Sequence, residues 1–138
     1  MSKNLRLLLA LLAGMVAALV VTMALEGISA GLFPMPAGLD PHDTAQFIAR
    51  MKEIPLGAML MVLGGHLLGT LAGAFTAVRL APPLLDRGRS LGLVVALLMQ
   101  GGAAVNIAVI PHPVWFAFGD VVGIGVFAWV GMSLAVRT

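Results

Sequence analysis

Cysteine and tyrosine are absent from this chain of 138 residues, and charged residues make up only 10% of it. Without cysteine there is no disulfide framework, no thiolate metal site and no cysteine nucleophile. Aromatic residues are also scarce, at 6%, so the sequence lacks the usual aromatic cage for a cationic drug. The low charge content excludes the water-exposed surface of an ordinary soluble domain.

Apolar residues are abundant instead, at 60%, and the mean hydropathy is +1.05. They form long continuous runs of Leu, Ala, Val, Gly and Met, whereas a membrane β-barrel would need many short alternating segments separated by turns. A backbone surrounded by lipid must then form helices, which satisfy its hydrogen bonds internally. The composition therefore predicts an all-α integral membrane protein whose solvent is the lipid bilayer.

Four apolar segments are long enough to cross a membrane, since a helix needs about 20 apolar residues to span a hydrocarbon core of about 30 Å. They cover approximately residues 5–30, 54–80, 91–110 and 114–136. Pro111-His112-Pro113 between the last two stops the helix and leaves a tight turn, which predicts antiparallel neighbours. We therefore expect one membrane domain, a bundle of four helices, over residues 1–138.

The distribution of basic residues predicts the orientation of these spans. Six of the eight fall on one side: Lys3, Arg6, Arg79, Arg87, Arg89 and Arg137. Only Arg50 and Lys52 fall on the other side. The positive-inside rule then places both termini in the cytoplasm and the connection 31–53 outside. Because the basic residues lie at the ends of apolar runs, they indicate contacts with lipid headgroups and no nucleic-acid partner.

The outer connection, residues 31–53, contains the signals for one short helix. Asp40 is a suitable N-cap, Pro41 suits the first helical position and Asp43 suits the first turn. The pattern predicts a helix from there to about Glu53. Such a helix would lie on the outer membrane interface.

Small residues recur at four-residue spacing in three of the spans, a pattern typical of close helix packing in lipid. The positions are Gly65, Gly69, Gly73 and Ala77 in the second span, Ala10, Gly14, Ala18, Thr22 and Glu26 in the first, and Gly119 and Gly123 in the fourth. They serve either the internal bundle or a partner protein. Internal use is favoured, because so short a protein has little else to hold its helices together.

Polar residues inside a membrane are costly and are candidates for function by default. Glu26 is expected near the outer interface, His66 near mid-bilayer, and Asp120 about 10 Å below the outer surface, with Asn106 at a similar depth. Two interpretations stay open for Glu26: a carboxylate that faces outer water, or a proton or cation site. His66 is either a neutral hydrogen-bonded residue or a proton relay, metal ligand or haem ligand.

These residues predict a polar cluster of Asp120 and Asn106, with Glu26 above it and His66 below. Two carboxylates and a histidine are adequate metal ligands, but their expected depths differ and no helical pair supplies two ligands at once. No metal site or cofactor is therefore predicted. The chain also lacks a phosphate-binding loop, a nucleophile elbow and a zinc-protease motif, so no enzymatic activity is predicted.

A set of features resembles small uncharacterised four-span bacterial membrane proteins over roughly the first three-fifths of the chain. It consists of Glu26, the segment Phe33-Pro34-Met35-Pro36-Ala37-Gly38-Leu39-Asp40, Pro55, the stripe Gly65, Gly69 and Gly73, and Arg79. The resemblance implies a four-span fold in a bacterial cytoplasmic (inner) membrane. It implies no activity.

Three functions remain as expectations. The first is a structural or accessory subunit that packs against other membrane proteins or against copies of itself, because packing stripes are abundant and chemistry is sparse. The second is a small proton- or cation-coupled transporter or channel subunit that uses Asp120, Glu26 and His66. The third is an intramembrane metal or haem protein built on His66, although His42 and His112 are expected in outer loops.

Overall fold

The computed structural model describes residues 2–40, 43–82, 87–110 and 112–137, with the backbone alone at Arg87 and Arg137. Over these residues the fold is all-helical and contains no strand, which confirms the predicted class. The helices are α1 (Lys3–Leu32), α2 (Thr44–Ala49), α3 (Leu56–Leu80), α4 (Arg87–Val109) and α5 (Val114–Arg137), and a 3-10 turn occupies Met51–Glu53. Pro41, His42 and Pro111 lie outside the described residues.

The four long helices are each long and apolar enough to cross a membrane. Large apolar side chains cover their outer surfaces; Leu12, Met23, Leu97 and Phe118 are between 50% and 71% exposed. A water-soluble monomer rarely exposes apolar surface on this scale, because each such side chain gains free energy by leaving water. The distribution is that of a multi-pass membrane protein.

Helix α3 lies at the centre of the fold and contacts α1, α4 and α5. It runs antiparallel to α1, because an added Cβ at Gly14 would meet Ala77 and an added Cβ at Gly65 would meet Thr22. It runs parallel to α5, where Gly119 lies against Leu63.

The fourth long helix, α4, runs antiparallel to both α3 and α5. Its first turns lie beside Val78 near the end of α3, and Gly92 lies against Met132 near the end of α5. One end of the fold therefore holds the starts of α1 and α4 and the ends of α3 and α5. The connection between α1 and α3 lies at the opposite end.

The small residues predicted to pack helices bring α1 and α3 into backbone contact. A Cβ added at Gly69 would lie 2.7 Å from the Ala18 carbonyl oxygen. A Cβ added at Gly73 would lie 2.8 Å from the Gly14 carbonyl oxygen. This close approach lets the Thr22 hydroxyl donate a hydrogen bond of 3.0 Å to the Gly65 carbonyl oxygen. The stripe on α3 is thus occupied inside the fold.

The glycines of α5 have a different role. Gly119 and Gly123 leave room for the side chains of Leu63 and Leu67 on α3. A larger residue at either position would meet a leucine and not a backbone. Nearer the end of α5 the two helices approach through their backbones, because an added Cβ at Gly131 would collide with the Leu71 carbonyl group. The α3–α5 contact therefore combines side chains packed against glycines with one close backbone approach.

The short helix of the outer connection begins later than predicted. Its N-cap is Asp43, whose carboxylate accepts a hydrogen bond of 3.0 Å from the Gln46 backbone N–H, so the predicted N-cap Asp40 is wrong. Gln46 explains the difference, because its side-chain oxygen accepts from the Asp40 backbone N–H at 2.6 Å and holds that residue outside the helix. The α-helix also ends at Ala49, and only a 3-10 turn continues to Glu53.

Candidate functional site

Asp120 is completely buried, and its carboxylate contacts one side chain of the central helix. The Nδ1 atom of His66 lies 3.0 Å from one carboxylate oxygen and 3.1 Å from the other. Asp120 belongs to the buried face of α5, one turn after Phe116 and one turn before Ile124. A carboxylate in such surroundings needs a hydrogen-bonding partner, and His66 supplies it.

His66 is held in place by its own helix. Its side chain is 12% exposed, and the hydroxyl of Thr70, one turn further along α3, donates to the His66 carbonyl oxygen at 2.7 Å. Gly65 and Gly69 on either side of it let α1 approach closely. The imidazole therefore lies between α5 on one side and α1 on the other.

Glu26 approaches the second nitrogen of the same ring. Its Oε1 atom is 4.0 Å from His66 Nε2, and its side chain is 45% exposed. Glu26 follows Thr22 by one helical turn, so the hydrogen bond from Thr22 to the Gly65 carbonyl oxygen sets the register that places Glu26 beside His66. One histidine thus connects a buried carboxylate with a half-exposed one.

This arrangement is suited to proton transfer. A neutral imidazole donates from one ring nitrogen and accepts at the other, whereas the protonated ring donates from both. His66 can therefore take a proton on the side of Glu26 and release a different proton to Asp120. Histidine is the side chain whose ordinary titration range makes such exchange accessible near neutral pH.

The same geometry does not provide a metal site among the described residues. No group of three His, Asp or Glu side chains there is placed to hold one ion. The reason is that Asp120 and Glu26 face different nitrogens of the His66 ring, which point in different directions. His112 is engaged elsewhere, since its Nδ1 lies 2.6 Å from the Ile110 carbonyl oxygen.

The predicted vertical order of the polar residues differs from the observed one. His66 is ten residues after the start of α3, and Asp120 is six residues after the start of α5. The two side chains nevertheless lie beside each other. Helix α3 therefore begins about 6 Å further out than α5, four residues at the helical rise. Asn106, predicted as the companion of Asp120, instead lines a cavity.

That cavity, called the outer cavity below after the orientation that the basic residues predict, has a volume of about 350 Å³ and lies at the end that carries the connection between α1 and α3. Its polar lining includes Glu26, Ser29, Asn106 and His112. Glu26 also approaches His66, so it forms the boundary between the cavity and the buried pair. Water that enters the cavity can reach the Glu26 carboxylate without crossing the apolar core.

The connection also contains an ion pair close in sequence to residues of the outer cavity wall. Arg50 Nη2 lies 2.6 Å from Glu53 Oε2, and Arg50 also donates to the Ala37 carbonyl oxygen at 3.1 Å. The hydrogen bonds between the two side chains are the main reason that the Arg50 guanidinium holds the pKa of Glu53 below its usual range. The same bonds with the Glu53 carboxylate raise the pKa of Arg50. Met35 and Met51, which line the cavity, lie close in sequence to the residues joined by these bonds.

Sequence reasoning missed Ser29 and the aromatic residues in this region. Ser29 is buried on α1, as is Thr22, which was already identified with Glu26 in the stripe of the first span. Ser29 follows Glu26 by three residues, a spacing typical of one helix face, and this signal could have added Ser29 to that stripe. The aromatic residues of the cavity come from distant segments, and no local pattern indicates that they meet.

Comparison with known proteins identifies no relative. No protein-family model, curated protein or solved structure matches this chain. The candidate function therefore depends on the contacts of the described residues and on the physical chemistry of their side chains.

Proposed function

We propose that this chain is a multi-pass protein of a bacterial cytoplasmic membrane and a small proton-coupled transporter subunit. The observation that carries the proposal is the single imidazole of His66, whose two nitrogens face Asp120 and Glu26. The connection between α1 and α3 faces the outside and both termini face the cytoplasm. The concentration of basic residues at the end opposite that connection supports this orientation.

Proton transfer proceeds from the outer cavity inward. A proton from outer water reaches the half-exposed Glu26, whose side chain rotates to close the 4.0 Å gap to His66 Nε2. The ring accepts that proton at Nε2 and releases the proton on Nδ1 to Asp120, which becomes neutral. The charge of the imidazole is unchanged when the transfer is complete, and the reverse sequence returns the proton to the outside.

The proton does not continue through the described interior as it would in an open channel. On the far side of Asp120, the core is filled by Ile124, Val95 and Ala128, all of which are buried. The polar side chain on that side, Thr70, is itself buried and already donates to the His66 carbonyl oxygen, so a file of water has too few partners there and release towards the cytoplasm requires the helices to move. This is the behaviour of a transporter subunit, in which protonation of a buried carboxylate removes an intramembrane charge and so favours a different helix arrangement.

The test is proton movement in liposomes that contain the purified protein and a trapped pH-sensitive dye. The native chain dissipates an imposed pH gradient, and Asp120→Asn reduces the rate by about a hundredfold because the internal acceptor is lost. Glu53→Gln makes the same chemical change on the exposed connection and leaves the rate unchanged. Equal rates for the native chain and Asp120→Asn, or no dissipation by the native chain, would contradict the proposal.

A second function, an accessory subunit that packs against another helix, is favoured by one observation. Gly27 and Gly31 lie four residues apart on α1, and an added Cβ at either would meet no atom within 4 Å. Two small residues at four-residue spacing with an open face are typical of sites where a further helix packs in lipid. Gly27→Leu would then reduce the amount of oligomer or bound partner in mild detergent, whereas Gly125→Leu, on the open face of α5, would not. A native chain that is a monomer without a partner would contradict this function.

A further inference from the structure

The outer cavity has the size of a small-molecule site. Its volume of about 350 Å³ falls in the range of about 300–1,000 Å³ that ligand pockets occupy. Its wall combines residues of α1, α3, α4 and α5 with residues of the outer connection. A molecule in it would contact all four long helices, so its binding would be sensitive to their arrangement.

The wall of the cavity is aromatic although the sequence is poor in aromatic residues. Three of the six phenylalanines of the chain line it, namely Phe33, Phe47 and Phe116. A chain poor in aromatic residues thus places half of its phenylalanines around one cavity. Phe33 is fixed against Gly57, where an added Cβ would collide with its ring, and Phe116 stacks on the His112 ring with centroids 4.4 Å apart.

The charge of the cavity has one sign. Among the described residues that line it, Glu26 is the only acidic side chain, and no lysine or arginine is present. The nearby Arg50 is paired with Glu53 and does not line the cavity. A negative carboxylate and the negative faces of aromatic rings both attract a cation, while the apolar remainder of the wall excludes a small hydrated ion.

We infer that the outer cavity binds an organic cation with a compact apolar body, such as a quaternary ammonium compound, with Glu26 as its counter-ion. The Phe33 and Phe47 rings, which are half-buried, contact the cationic group and the apolar body, the fully buried Phe116 supports the wall from behind, and the methionines Met35, Met51 and Met59 adapt to the shape of the ligand. The inference goes beyond proton transfer, since it needs Glu26 and the cavity wall but not Asp120. Because the cation and the proton share Glu26, occupation of the cavity would compete with proton entry.

Binding can be measured on the complete protein in mild detergent, by equilibrium dialysis with tritiated benzyltrimethylammonium. The native chain should bind it saturably, and unlabelled benzyltrimethylammonium should displace it. Neopentylbenzene, which has the same shape without the charge, should not. No pH gradient is needed, so a failure here is distinct from a failure of proton movement.

Glu26→Gln should weaken binding by about tenfold, equivalent to about 1.4 kcal/mol, and Phe47→Leu should weaken it while keeping the wall apolar. Asp86→Asn, which also replaces a carboxylate by an amide but in the sequence between α3 and α4, should leave the affinity unchanged. The inference is overturned if the native chain shows no saturable binding, if Glu26→Gln binds equally well, or if neopentylbenzene competes. Binding that occurs only after phospholipids with ammonium headgroups are removed would assign the site to lipid and also overturn it.

Discussion

The α1–α3 contact gives the sharpest structural prediction, the substitution Gly69→Ala. The new methyl group would lie 2.7 Å from the Ala18 carbonyl oxygen and would also meet the Thr22 hydroxyl, so α1 must move away. Such overpacking costs about 1–3 kcal/mol. Loss of the hydrogen bond from Thr22 to Gly65 adds about 0.6 kcal/mol, the average for such bonds in membrane proteins, and the better helix propensity of alanine returns about 0.9 kcal/mol. A net destabilisation of about 0.7–2.7 kcal/mol remains.

The helices of a membrane protein persist when their packing is lost, so the assay must follow the distance between them. Because the chain has no cysteine, Ser2→Cys and Leu80→Cys introduce two unique labelling sites at the same end of α1 and α3. Energy transfer between dyes at these sites then reports dissociation of the two helices during titration with a denaturing detergent. Gly69→Ala should shift the midpoint to lower detergent.

Gly64→Ala is the matched control for this experiment. It makes the same change on the same helix, but its added Cβ meets no atom within 4 Å. Its stability should equal or slightly exceed that of the native chain, because alanine is the better helix former. Equal stability of the Gly69→Ala and Gly64→Ala chains would refute the close backbone contact between α1 and α3.

Three further predictions concern single contacts. Thr22→Val should destabilise the α1–α3 contact by about 0.6 kcal/mol, measured by the same energy transfer, because the bond to the Gly65 carbonyl oxygen is lost. Gly38→Ala should cost about 1–2 kcal/mol, since Gly38 has a φ of 73°, and hydrogen exchange would report it as faster opening of the outer connection. The pKa of Glu53 is lowered by Arg50, so their pair stabilises the connection above the ordinary pKa of a glutamate. This contribution should be lost as the pH falls through the lowered value. The protection of the connection in Glu53→Gln, measured relative to the intrinsic exchange rate at each pH, should be independent of pH over that interval.

The long helices could be predicted from the sequence because each apolar run is itself nearly as long as the helix it forms. The second span, expected at about residues 54–80, is the helix Leu56–Leu80. The glycines of its stripe were identifiable for the same reason, since a four-residue spacing places them on one face whatever the neighbours are. Both features depend on local spacing alone.

The partner of Asp120 could not be predicted, because it depends on the register between helices. Residue counts from the ends of the spans placed His66 deeper than Asp120, but the offset between the starts of α3 and α5 brings the two side chains to the same level. The cap of the short helix was missed for a related reason. Asp40 and Asp43 are equally good caps by type, and the hydrogen bond accepted by the Gln46 side chain from the Asp40 backbone decides between them.

The account depends most on the claim that His66 exchanges protons with Asp120 on one side and with Glu26 on the other. Nitrogen NMR of ¹⁵N-labelled histidine in lipid vesicles tests it directly, with the His66 signals assigned by their loss in His66→Gln. Both ring nitrogens of His66 should change with pH, and Asp120→Asn should change the Nδ1 signal most, because that atom lies 3.0 Å from the carboxylate. Ring signals that stay constant with pH, or that are identical in the native chain and Asp120→Asn, would contradict the account.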